Sequence, residues 1–348
     1  MSKRLLTIED LQVSFSTYAG EVQAVRGVSF HVDEGETLVI VGESGCGKSV
    51  SMQTVMRILP MPPAKVKSGN IIYKGEDIRA KSDKEMEQYR GKEFAMIFQD
   101  SMTSLNPTMK IGKQMTEGII KHQRVNKEKA KQIAIEMLEK VGLPNPKLIF
   151  NRYPHTLSGG QRQRVMIAMA VSCKPSILFA DEPTTALDVT MQAQILDIMN
   201  NLKKETNASI VLVTHNLGVV AKMADRIAVM YAGQIVESGS EREIFYEPRH
   251  PYTWGLLGAM PDMTQSTQDT LYSIQGTPPD LFAPPKGCAF ASRCEYSMVA
   301  CNKEMPPEFR NNSGHMARCW LMDERATKVY PPKGVIPIPL EERRFANE

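Results

Sequence analysis

Residues 42–49 of the chain read Gly42-Glu43-Ser44-Gly45-Cys46-Gly47-Lys48-Ser49. An apolar run, residues 37–41, precedes this stretch, and a helix-like segment, residues 50–59, follows it. A strand, a glycine-rich loop and a helix are the context in which the pattern G-x-x-x-x-G-K-[ST] binds phosphate. Its glycines let backbone N–H groups approach phosphate oxygens, and the start of the helix adds partial positive charge. An ordinary glycine-rich turn would not require the Lys-Ser pair, so the stretch predicts a nucleotide site.

An acidic pair later in the chain supports this prediction. The apolar residues 177–180 form a short predicted strand that ends in Asp181 and Glu182. Asp181 is expected to hold Mg²⁺, directly or through water, together with the Ser49 hydroxyl, while Lys48 reaches the outer phosphates. Glu182 is then placed to orient an attacking water. The same pair could simply begin a loop, but its occurrence beside a phosphate loop favours an ATP-hydrolysing site.

Length and charge exclude several classes of protein. At 348 residues the chain is long for one domain, and at about 150 residues per domain we expect two. The formal net charge of +3 gives no case for a nucleic-acid partner. No apolar run approaches the roughly 18–20 residues that cross a bilayer. The N-terminus passes directly into a strand-like segment that holds Glu9 and Asp10, so we expect no signal peptide and a cytosolic chain.

Hydrophobic patterning predicts alternating strands and helices. Because strands that alternate with helices imply a largely parallel sheet, we expect an α/β core. The segment from about 109 to 150 differs, since residues 127–141 carry apolar side chains at helical spacing among charges, which is typical of a helical insertion. The predicted strands are 5–15, 25–32, 37–41, 70–75, 94–98, 177–180, 209–214 and 227–231, and the other predicted helices are 157–172, 189–202 and 241–246.

Four further motifs follow in order around the phosphate loop. They are Gln99 at the end of an apolar strand, Leu157-Ser158-Gly159-Gly160-Gln161, Thr185-Ala186-Leu187-Asp188, and Thr214-His215. With them the chain resembles the ATP-binding-cassette (ABC) ATPases, in which these motifs are the Q-loop, the signature motif, the D-loop and the switch histidine. The resemblance implies an α/β P-loop ATPase core with an antiparallel β subdomain, a helical subdomain insertion and a loop-rich, cysteine-containing C-terminal extension.

The same resemblance implies a head-to-tail dimer with ATP sandwiched between two chains. Residues 42–49 of one subunit would face Ser158, Gly159, Gly160 and Gln161 of the other, with Asp188 at the interface. Residue chemistry agrees, because the start of a helix at Ser158 would form a second anion-binding end. By resemblance, Lys48, Gln99, Glu182 and His215 are the catalytic residues, and Ser49, Gln99 and Asp181 hold Mg²⁺.

Adenine binding is expected from an aromatic side chain just after the first strand, as in the resembling family. Phe15 is the best-placed candidate and Tyr18 is the second. Either ring could equally belong to the hydrophobic core.

Four of the six cysteines lie in a proline-rich tail: Cys288, Cys294, Cys301 and Cys319. In a reducing compartment such clustering favours metal or cluster binding over disulfides. The spacing lacks the tight pairs that zinc sites favour and also differs from common ferredoxin runs, so spacing alone is a weak signal. A four-thiolate centre would staple a segment that has little core of its own.

The match narrows to the ATPase subunits of oligopeptide and dipeptide importers. The residues that carry it are the run D-E-P-T-T-A-L-D-V-T from Asp181 to Thr190, His250-Pro251-Tyr252-Thr253, Leu256-Leu257, Gly287-Cys288 and Arg293-Cys294. By resemblance the four tail cysteines hold a [4Fe–4S] cluster; zinc, with His315 replacing one thiolate, and free thiols stay open. We expect residues 1–246 to form the nucleotide-binding domain, with a helical subdomain at about 100–172. Residues 247–330 would form the extension and residues 331–348 a tail.

The implied function is to power import of peptides or a related solute from the cytoplasmic face of the membrane. By resemblance the partners are a homologous ATPase subunit in a heterodimer, two transmembrane permease subunits, contacted by residues 99–118, and an extracytoplasmic substrate-binding protein. Two other functions fit some of the same motifs. A non-transport ABC ATPase acting on nucleic acid or ribosomes usually holds two cassettes, whereas this chain has one phosphate loop. A catalytically silent regulatory cassette is disfavoured because Glu182 and His215 are both present.

Overall fold

The computed structural model describes residues 3–100, 104–185, 187–260, 274–332 and 335. The phosphate loop follows β3 (Thr37–Val41), whose five residues are all buried. A continuous apolar run of this kind is typical of a strand covered on both faces in a parallel sheet. The helix after the loop, α1 (Lys48–Met56), begins two residues earlier and ends three residues earlier than the pattern predicted. It ends at Arg57, which takes a left-handed conformation ahead of Pro60.

Within the described residues, the main sheet has eight strands in the order β11-β12-β10-β9-β3-β8-β7-β6. Strand β3 lies between β8 and β9 and runs parallel to both, and β7 is parallel to β8 and β6. Parallel strands present their carboxyl ends at one edge, so the loops after β3, β6, β7 and β8 are brought together there. The further strands are β6 (Phe94–Ile97), β7 (Ile177–Asp181), β8 (Ser209–Thr214), β9 (Arg226–Tyr231), β10 (Gln234–Ser240), β11 (Phe309–Arg310) and β12 (Met316–Ala317).

A second, antiparallel sheet packs against the α1 side of the main sheet. It contains β1 (Arg4–Thr17), β2 (Gly20–Asp33), β4 (Ala64–Tyr73) and β5 (Glu76–Asp77) in the order β2-β1-β4-β5. One hydrophobic cluster joins both sheets and α1, through residues such as Leu6, Val28, Leu38 and Met52. Strands β1 and β2 are longer than predicted because they pair as a hairpin along most of their length, past residues where the apolar alternation ends.

A helical region lies between β6 and β7, as the sequence predicted. Its helix α4 (Lys127–Lys140) matches the prediction within one residue, and the Asn126 side chain caps it by accepting the Lys129 N–H at 2.9 Å. Ala130, Ala134 and Leu138 form its buried face. The region also holds α3 (Ile111–Gln123), α5 (Pro146–Phe150) and α6 (Gly159–Val171), and the helices before and after it in the chain are α2 (Asp83–Met86), α7 (Val189–Thr206), α8 (Leu217–Met223), α9 (Glu241–Tyr246), α10 (Pro251–Gly258) and α11 (Val299–Lys303).

The C-terminal extension continues the main sheet. Strand β12 pairs with β10, which also pairs with β9 in an antiparallel arrangement, and β11 pairs with β12. At this seam Glu237 and His315 are completely buried, and 2.8 Å separates the Glu237 Oε1 and His315 Nε2 atoms. Among the described residues, no helix combines the length and apolar character needed to cross a membrane.

Candidate functional site

The phosphate loop requires glycine at two positions. A Cβ on Gly42 would lie 2.0 Å from the Met230 carbonyl oxygen, and a Cβ on Gly47 would lie 2.3 Å from the Ala24 carbonyl oxygen. Gly47 also has a φ of 98°, in the left-handed region that side chains disfavour, and this turn leads directly into α1. The loop therefore wraps closely around the helix start, which leaves helix N–H groups facing the cleft.

The Lys48 side chain folds back onto the phosphate loop and contacts its first two residues. Its ammonium group donates to the carbonyl oxygens of Gly42 and Glu43, both at 2.8 Å, and the residue is only 5% exposed. The ammonium is therefore held at the loop by two fixed backbone acceptors. A triphosphate bound in the loop would meet a positive charge that is already in place.

Ser49 and Asp181 bring two oxygen ligands together from separate elements. The Ser49 hydroxyl, in the first turn of α1, donates to the Asp181 carboxylate at the end of β7 at 2.7 Å. Burial raises the pKa of Asp181, and the hydrogen bond from Ser49 partly opposes this. A hydroxyl and a carboxylate beside a phosphate site suit Mg²⁺, which prefers oxygen ligands and would restore the carboxylate's charge balance. The residues present therefore fit the ion.

Glu182 is the centre of a hydrogen-bonded cluster. His215 Nδ1 lies 3.0 Å from Oε1, and Oε2 accepts from the Gln99 amide at 3.0 Å and the Thr185 hydroxyl at 2.8 Å. The Glu182 backbone is strained, with a φ of 44°. Burial alone would raise the pKa of Glu182, but the bonds from His215 and Thr185 outweigh it and lower the pKa. The carboxylate is therefore ionised at neutral pH and can accept a hydrogen bond from water.

A cleft of about 600 Å³ brings the phosphate loop together with the four predicted catalytic residues. The predicted site residues that line it are Glu43, Ser44, Gly45, Gly47, Lys48, Ser49, Gln99, Glu182 and His215, joined by Ala24, Val50 and Thr185. Cys46 is buried beneath the loop, and Asp181 contacts the cleft through Ser49. The D-loop lies close by through Thr185, whereas Ala186 falls outside the described residues.

The signature residues do not line this cleft. Ser158 caps α6, because its hydroxyl accepts the Gln161 N–H and the Gln161 amide oxygen accepts the Ser158 N–H. Ser158 and Gly159 are exposed, so the start of this helix is accessible to another molecule. Asp188 likewise caps α7 by accepting the Met191 N–H at 2.8 Å. The helix start at Ser158 is thus separate from the phosphate loop and is open to solvent.

Neither predicted adenine-binding aromatic lines the cleft. Phe15 is partly buried against the hydrophobic cluster of the antiparallel sheet, and Tyr18 is fully exposed beyond the end of β1. Three contributors to the site were missed from sequence: Thr185, Tyr252 and Arg293. The Glu43 N–H donates to the Tyr252 hydroxyl at 2.8 Å, and Arg293 pairs with the Glu43 carboxylate. Tyr252 and Arg293 both belong to the motifs that carry the resemblance to peptide importers, but no local sequence signal relates them to Glu43.

The four tail cysteines lie in one partly buried region as free thiols. The Cys288 N–H donates to the Cys301 carbonyl oxygen at 2.7 Å. Burial, with smaller contributions from Cys288 and Cys301, raises the pKa of Cys294 to about 11, and burial beside the other three thiols raises that of Cys319. Within the part of the chain that the structure describes, no group of three or more His, Cys, Asp or Glu side chains is arranged to hold a metal ion. The geometry therefore gives no support to a metal centre.

His315, the alternative zinc ligand, already has a partner. Its Nε2 atom pairs with the buried Glu237 carboxylate, so this nitrogen belongs to the seam between β10 and β12. A metal could therefore reach His315 only at Nδ1, which is buried and makes no hydrogen bond within the described residues.

Comparisons with known proteins agree with the fold and the motifs. The "ABC transporter" family matches residues 25–185, and the "Oligopeptide/dipeptide transporter, C-terminal region" family matches residues 236–301. The oligopeptide transport ATP-binding protein OppD of Bacillus subtilis is 58% identical, over 99% of this chain and 95% of the relative. The dipeptide transport ATP-binding protein DppD of Lactococcus lactis is 50% identical, over 96% and 95%.

Solved structures show the same cassette. The ATP-binding cassette MJ0796, in a dimeric post-hydrolysis state bound to ADP and Pi, is 26% identical with a TM-score of 0.62, covering 68% of this chain and 98% of the cassette. The cbiO1 protein of Clostridium perfringens is 25% identical with a TM-score of 0.59, covering 70% and 91%. The solved cassettes leave about a third of this chain without a counterpart, and this part is similar in length to the C-terminal extension. The chain belongs to the ABC ATPases, in the family of oligopeptide and dipeptide transport ATP-binding proteins.

Proposed function

We propose that this chain binds Mg·ATP in the cleft at the phosphate loop and that its hydrolysis powers import of peptides through a membrane transporter. The observation that carries the proposal is the meeting of three groups in one cleft. Lys48 lies under the loop, Ser49 contacts Asp181, and Glu182 is held by hydrogen bonds from its neighbours. Together these groups can bind a triphosphate, position a divalent cation and orient a water.

Each residue has a distinct role in this proposal. Lys48 stabilises negative charge on the outer phosphates. Ser49, Asp181 and Gln99 would hold Mg²⁺, which would supply charge neutralisation at the transferred phosphoryl group. Glu182 accepts a hydrogen bond from the attacking water and orients it toward the γ-phosphorus. His215, which pairs with Glu182, would contact the γ-phosphate.

The second half of the site comes from another cassette. Ser158, Gly159, Gly160 and Gln161 are absent from the lining of the cleft, and their helix start is open. A head-to-tail dimer would bring these donors to the far side of the ATP bound by its partner, with Asp188 at the interface. The dimeric form of the MJ0796 cassette supports this arrangement. For adenine binding we propose Phe15, whose ring would need to turn toward the cleft, with Tyr18 as the second candidate.

Partners and location follow from the same family. We propose that the working unit is a heterodimer with a homologous ATPase. It would dock on two permease subunits at the cytoplasmic face of the membrane and receive peptide from an extracytoplasmic binding protein. A groove of about 320 Å³ beside the Q-loop supports docking, because Phe98, Leu105, Met115 and Gly118 line it and Phe98 is 40% exposed. A permease loop would fit there. Residues 101–103 lie outside the described residues.

The extension and its cysteines form a second module in this proposal. Residues 1–246 would be the nucleotide-binding domain with a helical subdomain at 100–172, residues 247–330 the extension and residues 331–348 a tail. By resemblance Cys288, Cys294, Cys301 and Cys319 would hold a [4Fe–4S] cluster, because thiols are the soft ligands that such clusters take, although these four are not arranged to hold a metal ion among the described residues. The group would act as a structural staple. Anaerobic purification and iron analysis test this, and a colourless, iron-free protein would remove the cluster.

Glu182→Gln tests the ATPase assignment. The amide keeps the shape of the side chain but cannot accept a proton or orient water as the carboxylate does. We expect nucleotide affinity within about threefold of wild type and turnover reduced by about 100-fold or more. Binding of a fluorescent nucleotide and phosphate release measure the two effects separately. Near-normal phosphate release would contradict the role of Glu182, and the matched variant Glu295→Gln, an exposed residue of the extension, should release phosphate normally.

A further inference from the structure

The C-terminal extension contacts the phosphate loop through one ion pair. The Arg293 guanidinium reaches both carboxylate oxygens of Glu43, with Nη1–Oε2 at 2.8 Å and Nη2–Oε1 at 3.0 Å. Only 5% of the Arg293 side chain and 26% of the Glu43 side chain are exposed. A forked, mostly buried pair of this kind fixes direction as well as distance. The second residue of the phosphate loop is therefore held by a side chain 250 positions later in the chain.

The surroundings of Arg293 orient its fork. Its Nε donates to the Gln275 carbonyl oxygen at 2.9 Å, and Nη1 donates to the Tyr231 hydroxyl at 3.3 Å. The guanidinium carbon lies 5.8 Å from the Tyr231 ring centre and 5.9 Å from that of Phe290. Arg293 is thus anchored to the extension and presents its charge to Glu43.

Glu43 also contacts the groups that would bind phosphate. It lines the cleft, and its carbonyl oxygen accepts a hydrogen bond from the Lys48 ammonium at 2.8 Å. Its N–H is occupied by the Tyr252 hydroxyl. A carboxylate at this position would repel a triphosphate unless its charge were neutralised and its side chain held aside. Arg293 does both.

We propose that Arg293 is a positioning residue of the ATP site, which neutralises and orients the Glu43 carboxylate so that the phosphate loop accepts a triphosphate. The proposal rests on the proposed function of the cleft as the ATP site. It makes nucleotide affinity dependent on the C-terminal extension. It does not require Arg293 to keep the extension attached, since the β10–β12 pairing and the Glu237–His315 contact join the extension to the main sheet elsewhere.

Three variants of the full chain test the proposal with a fluorescent ATP analogue. Arg293→Met keeps the apolar stem but removes the charge, so Glu43 would face the phosphates uncompensated, and we expect the Kd to rise about tenfold. Adding Glu43→Gln to Arg293→Met removes the repulsion, so the double variant should return to within about threefold of wild type. In Arg293→Met the KM for ATP should rise with the Kd while kcat changes less than about threefold, because Glu182 and the Mg²⁺ ligands are untouched.

The double variant separates this role from a merely structural one. If Arg293 only supported the fold, removing Glu43 as well would restore nothing, and equal Kd values for the single and double variants would overturn the proposal. So would a wild-type Kd for Arg293→Met. If Arg293→Met does not fold, the Kd of Arg293→Lys for the ATP analogue tests the proposal instead. It keeps the charge but not the fork, so its Kd should rise about threefold, and an unchanged Kd would overturn the proposal.

Two controls complete the experiment. Arg325→Ala removes an exposed arginine of the extension, paired with Asp323 at the surface, and should leave the Kd unchanged. Lys48→Ala tests the ATP site itself. Wild-type nucleotide binding by this variant would overturn both the proposed function and the role of Arg293. A binding defect in Lys48→Ala with a normal Kd in Arg293→Met would overturn the role of Arg293 alone.

Discussion

The carboxyl edge of the parallel sheet and the C-terminal extension hold their side chains by different means. At the sheet edge each functional residue follows a buried strand directly: the phosphate loop follows β3, Glu182 follows β7, and His215 follows β8. The backbone register of the strands therefore determines where these functional residues lie, independently of their side-chain contacts. The extension joins the main sheet through the short strand β12, and its loops are positioned by side chains, chiefly Arg293 on Glu43 and His315 on Glu237. Precise placement therefore comes from the backbone in one region and from buried polar pairs in the other.

The comparison predicts that a single polar deletion is costliest where side chains alone hold the structure. Glu237 accepts from the N–H groups of Arg249 and His250, at 2.7 and 3.0 Å, and from His315. Glu237→Ala leaves these buried donors unpaired, so we expect the free energy of unfolding to fall by about 3–5 kcal/mol. Denaturant unfolding measures it. Glu295→Ala, at an exposed position of the extension, is the matched control and should stay within about 0.5 kcal/mol of wild type.

The next prediction tests whether the phosphate loop and the start of the signature helix at Ser158 act in different subunits. Ser158→Arg blocks the signature helix with a bulky side chain but leaves the cleft of its own chain intact. We expect hydrolysis to fall about 100-fold at the nucleotide held by the partner's phosphate loop. A mixed complex in which each site is labelled separately measures this. Loss confined to the cleft built on Lys48 of the altered chain would contradict the head-to-tail arrangement.

The smallest expected effect is a pH dependence that arises in the extension. His250 is fully buried, and burial lowers its pKa to about 4. Between that value and about 6.5 the unfolded chain binds the proton and the folded chain does not, so stability falls as pH drops through this range. We expect His250 to account for about 2 kcal/mol of lost stability at pH 5 relative to pH 7.5.

His250→Asn tests this contribution. The asparagine side chain can still accept the Tyr252 N–H that His250 Nδ1 now accepts at 3.0 Å, but it does not titrate. Unfolding measured at both pH values should therefore show a shallower dependence. Some slope should remain, because burial, with Arg226 and Arg4 nearby, also lowers the pKa of His31 to about 4. An unchanged slope would show that His250 does not contribute.

Secondary structure was predictable wherever local signals agreed. Helix α4 matched within one residue because Asn126 caps its start and Gly142 follows its end. The signature motif predicts that α6 begins at Leu157. The helix begins at Gly159 instead, because Ser158 is its capping residue and lies outside the helix. The strands β11 and β12 were missed. They are two residues long, and their pairing with β10 is a long-range contact without a hydrophobic repeat of its own.

The sequence by itself determined the ABC ATPase fold and the approximate place of the nucleotide, because a strand, loop and helix specify a phosphate-binding turn locally. The rule that parallel strands end at one edge then brings Asp181 and His215 toward Lys48. Tertiary structure alone decided which atoms meet: Gln99 and Thr185 on Glu182, Phe15 against the antiparallel sheet, and Arg293 on Glu43. Except for Thr185, which is three positions from Glu182, these contacts join residues far apart in the chain. They depend on how buried side chains fill shared space, which no local pattern encodes.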